Sequence, residues 1–336
     1  MPITYFAGPG KLLFNGALLE AQQENGQILY QINQQKLDIA QAFHGRVGSQ
    51  LGNTTGRITI TPFDNWSALP SLFPPFLGAT TVSGPGAGPG ALAIGTRPHN
   101  PPFGAGPDVQ AAIWNPAGNG VATLRTAIIR HPDLHLGVGK PLFGQIELSV
   151  LPSTAALANG IPNTWAPGHF HTVKDAGMAD PGGQFTMADF VREAWVGVWG
   201  NVAGFGAIQA EDEWTISTNA RYDEVKEQEQ ALFFKLASVE FMARCRPVGP
   251  LWTQIDAAVM NRGLGVRFGS PGAQGAEIDL VLTSTGSNRT ITIENVDVVG
   301  AGYEFGGTRL ATGEVGFVTQ TPFQAGNPEA MILFSA

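Results

Sequence analysis

Cysteine is nearly absent. Cys245 is the only one in 336 residues, so no disulfide framework can brace the fold. Charge is scarce as well: charged residues make up 14% of the chain and hydrophobic ones 43%, enough apolar material for real cores and too little charge for disorder. Basic residues are the rarer sign, 19 Lys and Arg against 27 Asp and Glu, for a net charge of −8 and a pI near 5.2. A surface that grips nucleic acid by neutralising phosphates has the opposite balance. No apolar run approaches the roughly 20 residues of a membrane span. The start, MPITYFAGPGKLLFNG, has no charged segment ahead of an apolar one, so we expect no secretory signal and no membrane. Synthesis in a reducing cytoplasm is the expectation, where a lone thiol stays free. In that setting the Asn-x-Ser/Thr triplets at Asn53, Asn65 and Asn288 carry no meaning.

Glycine and proline, by contrast, are plentiful, 44 and 24. No Gly-X-Y period runs through them, and many short Val, Ile, Thr and Phe runs lie between the turns, which points to an all-β fold. This length commonly makes two domains, and an internal repeat divides the chain. HPDLHLGVGKPLFGQIELS (131–149) matches GAGYEFGGTRLATGEVGFV (300–318) at an offset of 169 (131 to 300). Gly137 then falls on Gly306, Lys140 on Arg309, Gly144 on Gly313, Leu134 on Tyr303, and Ile146 and Leu148 on Val315 and Phe317. Earlier, residues 27–62 run against 212–247 at an offset of 185 (27 to 212).

Each half reads as a strand, a polar connection, a long strand ended by proline, one short helix, and a closing hairpin. In the second half Ala231, Phe233, Ala237, Val239, Phe241, Ala243 and Cys245 share one strand face by period-two alternation, which makes Cys245 a core residue. The helix signals are DNWSALPSLFPPF (64–76), broken or short because of Pro70, and GPLWTQIDAAVMNRG (249–263), with Trp252, Ile255 and Val259 on one face and Gly263 as its stop. We expect a first domain over 1–152, a linker over 153–190 and a second domain over 191–336. Residues 78–108, Gly/Pro-rich and without period, are expected to form a loop with no packed element.

No set of residues points to catalysis, a metal or a cofactor. His131, Asp133 and His135 alternate, which suits metal ligands on a strand, but their repeat partners are Gly300, Gly302 and Glu304. His169 and His171 lack further ligands nearby. GVGKP lacks the earlier glycine and the following Ser or Thr of a phosphate loop. Gly86, Gly88 and Gly90 read as flexible loop composition.

Several phrases, in this order and spacing, resemble the tail tube protein (major tail protein) of long-tailed bacteriophages in its two-domain form. They are GRITITPFDNWSALPSLFPPFLG and TAIIRHPDLHLGVGKPLFGQIELSVL in the first half, and EDEWTISTNARYDEV, VEFMARCRPVGPLWTQIDAAV and AGYEFGGTRLATGEVGFVTQ in the second. The resemblance implies two tandem tail-tube β-sandwich or barrel-like domains, self-assembly into stacked rings around a lumen that passes DNA without specific binding, and location in the virion tail after synthesis in the host bacterium. It also implies terminator, tape measure and distal tail proteins as partners. With two tube domains per chain, three chains would supply six quasi-equivalent positions, so a trimeric ring is expected.

The acidic balance suits a lumen wall that repels phosphates. Candidates are Glu20, Glu24, Asp38, Glu211, Asp212, Glu213, Glu224, Glu227 and Glu229. The connections 34–45 and 219–230 resemble the loop that in this family reaches the next ring, with Asp38, Asp223, Glu224, Lys226, Glu227 and Glu229 as its charged residues. Two other readings stand beside the tube. One is another tail component such as a hub or distal ring. The other is a two-domain carbohydrate-binding or adhesin module, whose platform would be Trp114, Trp165, Trp195, Trp199 and Trp214.

Overall fold

Strands form here where alternate residues can be sent into an apolar interior. Ile58 and Ile60 are fully buried in the first half, as Phe241 and Ala243 are in the second, and Cys245 lies beside them. The computed structural model describes residues 10–14, 17–21, 28–72, 92–95, 108–114, 120–151, 182, 191–199, 207–227, 230–248, 278–287, 289–306, 309–319 and 330–335. The first half contains β1 (Lys11–Phe14), β2 (Ala17–Glu20), β3 (Leu29–Gln41), β4 (Gly45–Ile60), β5 (Leu92–Gly95), β6 (Asp108–Trp114), β7 (Gly120–Arg130), β8 (Leu134–Gly137) and β9 (Ile146–Leu151). The second contains β10 (Trp195–Trp199), β11 (Ile208–Glu227), β12 (Gln230–Pro247), β13 (Ile278–Ser284), β14 (Thr290–Gly306), β15 (Arg309–Thr319) and β16 (Ala330–Ser335). The fold is all-β, and among the described residues every strand pairing is antiparallel.

Between β4 and β5 a 3-10 turn (Trp66–Ala68) runs into the one-turn helix α1 (Leu69–Leu72). Asn65 caps it, its side-chain oxygen accepting from the Ala68 N–H at 3.1 Å. Pro70 sits in the first turn, where its missing N–H is not needed, and the helix stays short as its sequence predicts. The matching segment 249–263 lies outside the described residues, as does the linker 153–190 apart from Gly182.

The two halves share one strand plan. The first sheet runs β2-β1-β6-β7-β9-β4-β3, and the second contains the run β10-β11-β12-β15-β14 with β13 joining β10 to β14. Reading β1 as β10, β6 as β13, β7 as β14, β9 as β15, β4 as β12 and β3 as β11, the neighbours agree. Registers agree too: Ile58 faces Leu148 as Ala243 faces Phe317, and Ile60 faces Ile146 as Cys245 faces Val315, so both offsets hold there. β3 departs by one residue, because Tyr30 faces Ile58 where Ile216 faces Ala243. An irregular step recurs as well, between Ile128 and Arg130 on β7 and between Val298 and Gly300 on β14. Beyond it, Leu134 bridges Phe143 and the Lys140 N–H donates to the Gly137 carbonyl, while Tyr303 faces Thr312 and Gly306 faces Arg309. Gly137 and Gly306 thus stand at the same turn. Gly144 donates to Asp133 beside that hairpin, and Gly313 lies at the irregular step between Thr312 and Val315.

Three expectations need correction. The strand-strand-helix-strand-strand reading omits β1, β2, β6, β8, β10, β13 and β16. Within 78–108, β5 is a strand after all: it pairs with β16, Ile94 opposite Ile332 and Leu92 opposite Phe334. A backbone ladder needs no apolar periodicity in its own segment, only a partner edge. On β12, pairing skips from Ser238 to Leu236, so the inward parity changes at Ala237 and Phe234 is buried. The single face running from Ala231 to Cys245 is therefore interrupted.

Because β10 pairs with both β11 and β13, and β13 with β14, strands β10, β11, β12, β15, β14 and β13 close into a barrel. Closure removes exposed edges. Its interior is filled by Trp199, Trp214, Phe241, Phe317 and aliphatic side chains, in one apolar cluster that continues into the first half. A methyl at Gly197 would stand 2.5 Å from the Trp214 ring and 3.0 Å from Leu282. Gly197→Ala should therefore cost about 1–3 kcal/mol through overpacking. Urea midpoints measure this, and an unchanged midpoint would show that the barrel interior yields.

Candidate assembly interfaces

The most informative surface of the molecule is the one its two halves form with each other. Among the described residues the β5/β16 ladder is joined by three further contacts. In the first, β8 adds to an edge of β11: Gly137 faces Glu213, Leu136 faces Trp214, His135 faces Thr215 and Leu134 faces Ile216. Leu134, Leu136, Trp214 and Ile216 are buried along this seam. Polar groups flank it, with Lys140 2.9 Å from Asp212 and His135 Nδ1 3.2 Å from Glu213. The hydrogen bond to Asp212, then the charges of Glu213 and Asp212, raise the Lys140 pKa. A Cβ on Gly137 would lie 2.8 Å from both the Asp212 carbonyl oxygen and the Glu213 Cβ, so only glycine lets the two backbones come this close.

The second contact is made by the far part of the β11/β12 hairpin, which reaches the first sheet. Phe234 packs with Ala127 and Leu151. Tyr222 stacks on His131 with ring centroids 5.9 Å apart, and its hydroxyl shares a hydrogen bond with Nε2. Burial pushes the His131 pKa down to about 3 and the Tyr222 hydroxyl up.

The third lies beside α1. Asp64 is fully buried, accepts from the Leu142 N–H at 2.7 Å, and pairs with Arg192 at 2.9 Å. Trp66 stacks on Trp195 at 5.9 Å, meets Phe334 edge-on, and carries the Arg289 guanidinium over its ring at 5.3 Å. Arg192 in turn lies over Phe63. A first-half turn is thus clamped by second-half residues.

The segments 34–45 and 219–230 are not loops in the described residues. They are the ends of two long hairpins, β3/β4 and β11/β12, paired nearly to their tips: Gln41 faces Gly45, and Glu227 faces Gln230. Polar sequence hides this: in the first hairpin residues 38–47 are exposed and a wet ribbon needs no apolar alternation, while in the second the buried Phe234 stands off the face that the alternation predicts. Asp38 is exposed and paired with Arg46 at 2.9 Å. Asp223 and Glu224 are exposed on β11. Lys226 and Glu227 are placed only by their backbone in β11, and Glu229 lies outside the described residues. The first hairpin carries what the sequence reading missed: Ile39, Val47 and Phe43 are exposed, Phe43 completely and at φ 74°, a backbone region costly for a bulky residue.

The acidic candidates divide. Glu211 pairs with Arg246 at 3.0 Å, Asp212 with Lys140, and Glu213 with His135, so two of the three belong to the seam between halves. Glu20 is half-buried at the end of β2, its carbonyl accepting from Phe63. Glu24 lies outside the described residues. Trp114, Trp195, Trp199 and Trp214 are buried and present no platform, and Trp165 is not among the described residues. His131 and His135 go to different partners, Tyr222 and Glu213. Among the described residues no group of three or more His, Cys, Asp or Glu side chains is placed to hold a metal. Compared with protein-family models and with curated proteins, the chain matches none.

Two outcomes are expected. Asp64→Ala, which strands a buried N–H and removes the anion from Arg192, should destabilise by about 3–5 kcal/mol. Asp212→Ala, at an exposed pair, should change chemical denaturation little; equal losses would refute this ranking. For His131, the unfolded chain binds a proton near the ordinary 6.5 that the folded chain refuses until about 3. Stability should therefore fall as pH drops below about 6.5 and recover as it rises. Urea midpoints between about pH 5 and pH 7 should climb less steeply in His131→Gln than in wild type; identical slopes would assign the effect to other groups.

Proposed function

We propose that this protein is a structural subunit of a bacteriophage tail tube, assembling through copies of itself into stacked rings that conduct the genome. The observation that carries the reading is that one strand plan occurs twice in the chain and the two copies join head to tail through a sheet edge, β8 upon β11. A head-to-tail contact repeats: it closes into a ring when its rotation divides a full turn, and stacks when an axial contact is added. Three chains, each with two such units, make a six-position ring.

Axial contacts fall first to the hairpin β3/β4, since the far part of β11/β12 rests on the first sheet. The β3/β4 hairpin ends in the exposed Phe43, flanked by Ile39 and Val47, apolar surface that its own chain leaves in water and a neighbouring ring would bury. The net charge of −8 suits a wall over which DNA slides, an effect that salt screens beyond about 8–10 Å. Since Glu211, Asp212 and Glu213 are ion-paired, this part of the reading leans on other acids, the exposed Asp223 among them.

Negative-stain microscopy of the purified protein tests the proposal. Rings that stack into tubes with threefold symmetry are the expected result. Dispersed single particles at high concentration would overturn the tube; rings that never stack would favour a hub or distal ring; strict sixfold symmetry with six chains per ring would remove the trimer alone.

A further inference from the structure

The repeat makes the contact inside the chain a pattern for a contact between chains. β8 occupies, in the first half, the position that residues 303–306 of β14 occupy in the second: Leu134 corresponds to Tyr303, His135 to Glu304, Leu136 to Phe305 and Gly137 to Gly306, by the hairpin registers given above. The edge that β8 covers, Trp214 to Ile216 of β11, corresponds to residues 28–30 of the first half, because Tyr30 faces Ile58 as Ile216 faces Ala243. Among the described residues only one of these two edge contacts is made within the chain. Among the described residues, β3 pairs with β4 alone and residues 303–306 pair with β15 alone.

We infer that residues 303–306 of one chain add antiparallel to the outer edge of β3 in a second copy, placing Phe305 opposite Ile28, Glu304 opposite Leu29 and Tyr303 opposite Tyr30. The side chains suit the register. In the intrachain seam Leu136 and Leu134 meet Trp214 and Ile216 in the buried row, and the inferred seam sets Phe305 and Tyr303 against Ile28 and Tyr30, again apolar and aromatic. Ile28 and Tyr30 are only partly buried and already pack against the core cluster, so a strand laid beside them extends an existing core. Leu29, 43% exposed, points to the other face. Gly306 repeats the glycine whose counterpart, Gly137, admits the close backbone approach at the seam. Donor and acceptor are different patches, so the contact is heterologous, and when a ring closes it pairs both edges that the described residues leave without a strand.

The inference rests on the tube reading only in taking the partner to be a second copy of this chain. Its test is a register-specific cross-link. Cys245 is buried and stays silent, and residues directly opposite on antiparallel strands bring their Cβ atoms to about 4.5–5.5 Å. The double variant Leu29→Cys with Glu304→Cys, assembled and mildly oxidised, should run on a non-reducing gel as multiples of the 35.4 kDa chain, whereas Asp38→Cys with Glu304→Cys should not. Wild-type amides of residues 28–30 should exchange more slowly in assemblies than in separated chains. Rings or tubes seen by microscopy without the cross-link, and with unchanged exchange at 28–30, would overturn this pairing and leave the tube standing. Chains that remain single at every concentration would overturn both.

Discussion

An open sheet edge is a row of backbone donors and acceptors that must find partners, and the whole molecule is arranged around one answer to that demand. On β11 the edge facing away from β12 is filled in turn by β10 and by β8. The first of these closes a barrel within the second half. The second imports a strand from the first half and fuses two similar units into one apolar cluster. Backbone pairing sets the geometry, and side chains then hold it: Asp64 with Arg192, Tyr222 with His131, Lys140 with Asp212. These differ in weight. The buried pair tolerates no loss of a partner, while the exposed one contributes little.

The two halves share a plan without being interchangeable. α1 and its preceding turn are gripped by Trp195, Arg192, Arg289 and Phe334, and the far hairpin of the second half rests on β7 and β9 through Phe234. The corresponding hairpin of the first half carries Lys36 and Ser49 where Tyr222 and Phe234 stand by register and offset, and its tip is exposed. One arm is therefore anchored inward and the other projects.

Much of this was legible in the chain. Ile58 and Ile60, or Phe241, Ala243 and Cys245, declare a buried face by alternation, and the offsets of 185 and 169 (58 to 243, 148 to 317) return as paired registers. What escaped has physical causes. The first arm reads as a loop because a wet ribbon has no apolar period. Phe234 was hidden by a skipped residue that reverses parity, which composition does not mark. Asp212 and Glu213 looked like free acids because their partners, Lys140 and His135, lie more than 70 residues away in sequence. The hairpin of β1 and β2 was missed although Asn15-Gly16 between two apolar runs is a strong short-range signal.

The pairing of β5 with β16 carries a consequence for biosynthesis. Ile94 meets Ile332, so the ribosome must deliver everything between them before this ladder can form, and N-terminal segments emerge first. Throughout that interval β5 waits for β16, the strand it pairs with among the described residues. Its brevity, four residues, and the Gly- and Pro-rich sequence on both sides, GPGAGPGA before and TRPHNPPFG after, are the features that keep a waiting strand from templating aggregation. The segment whose composition looked least structural is thus the one suited to staying harmless until its partner arrives.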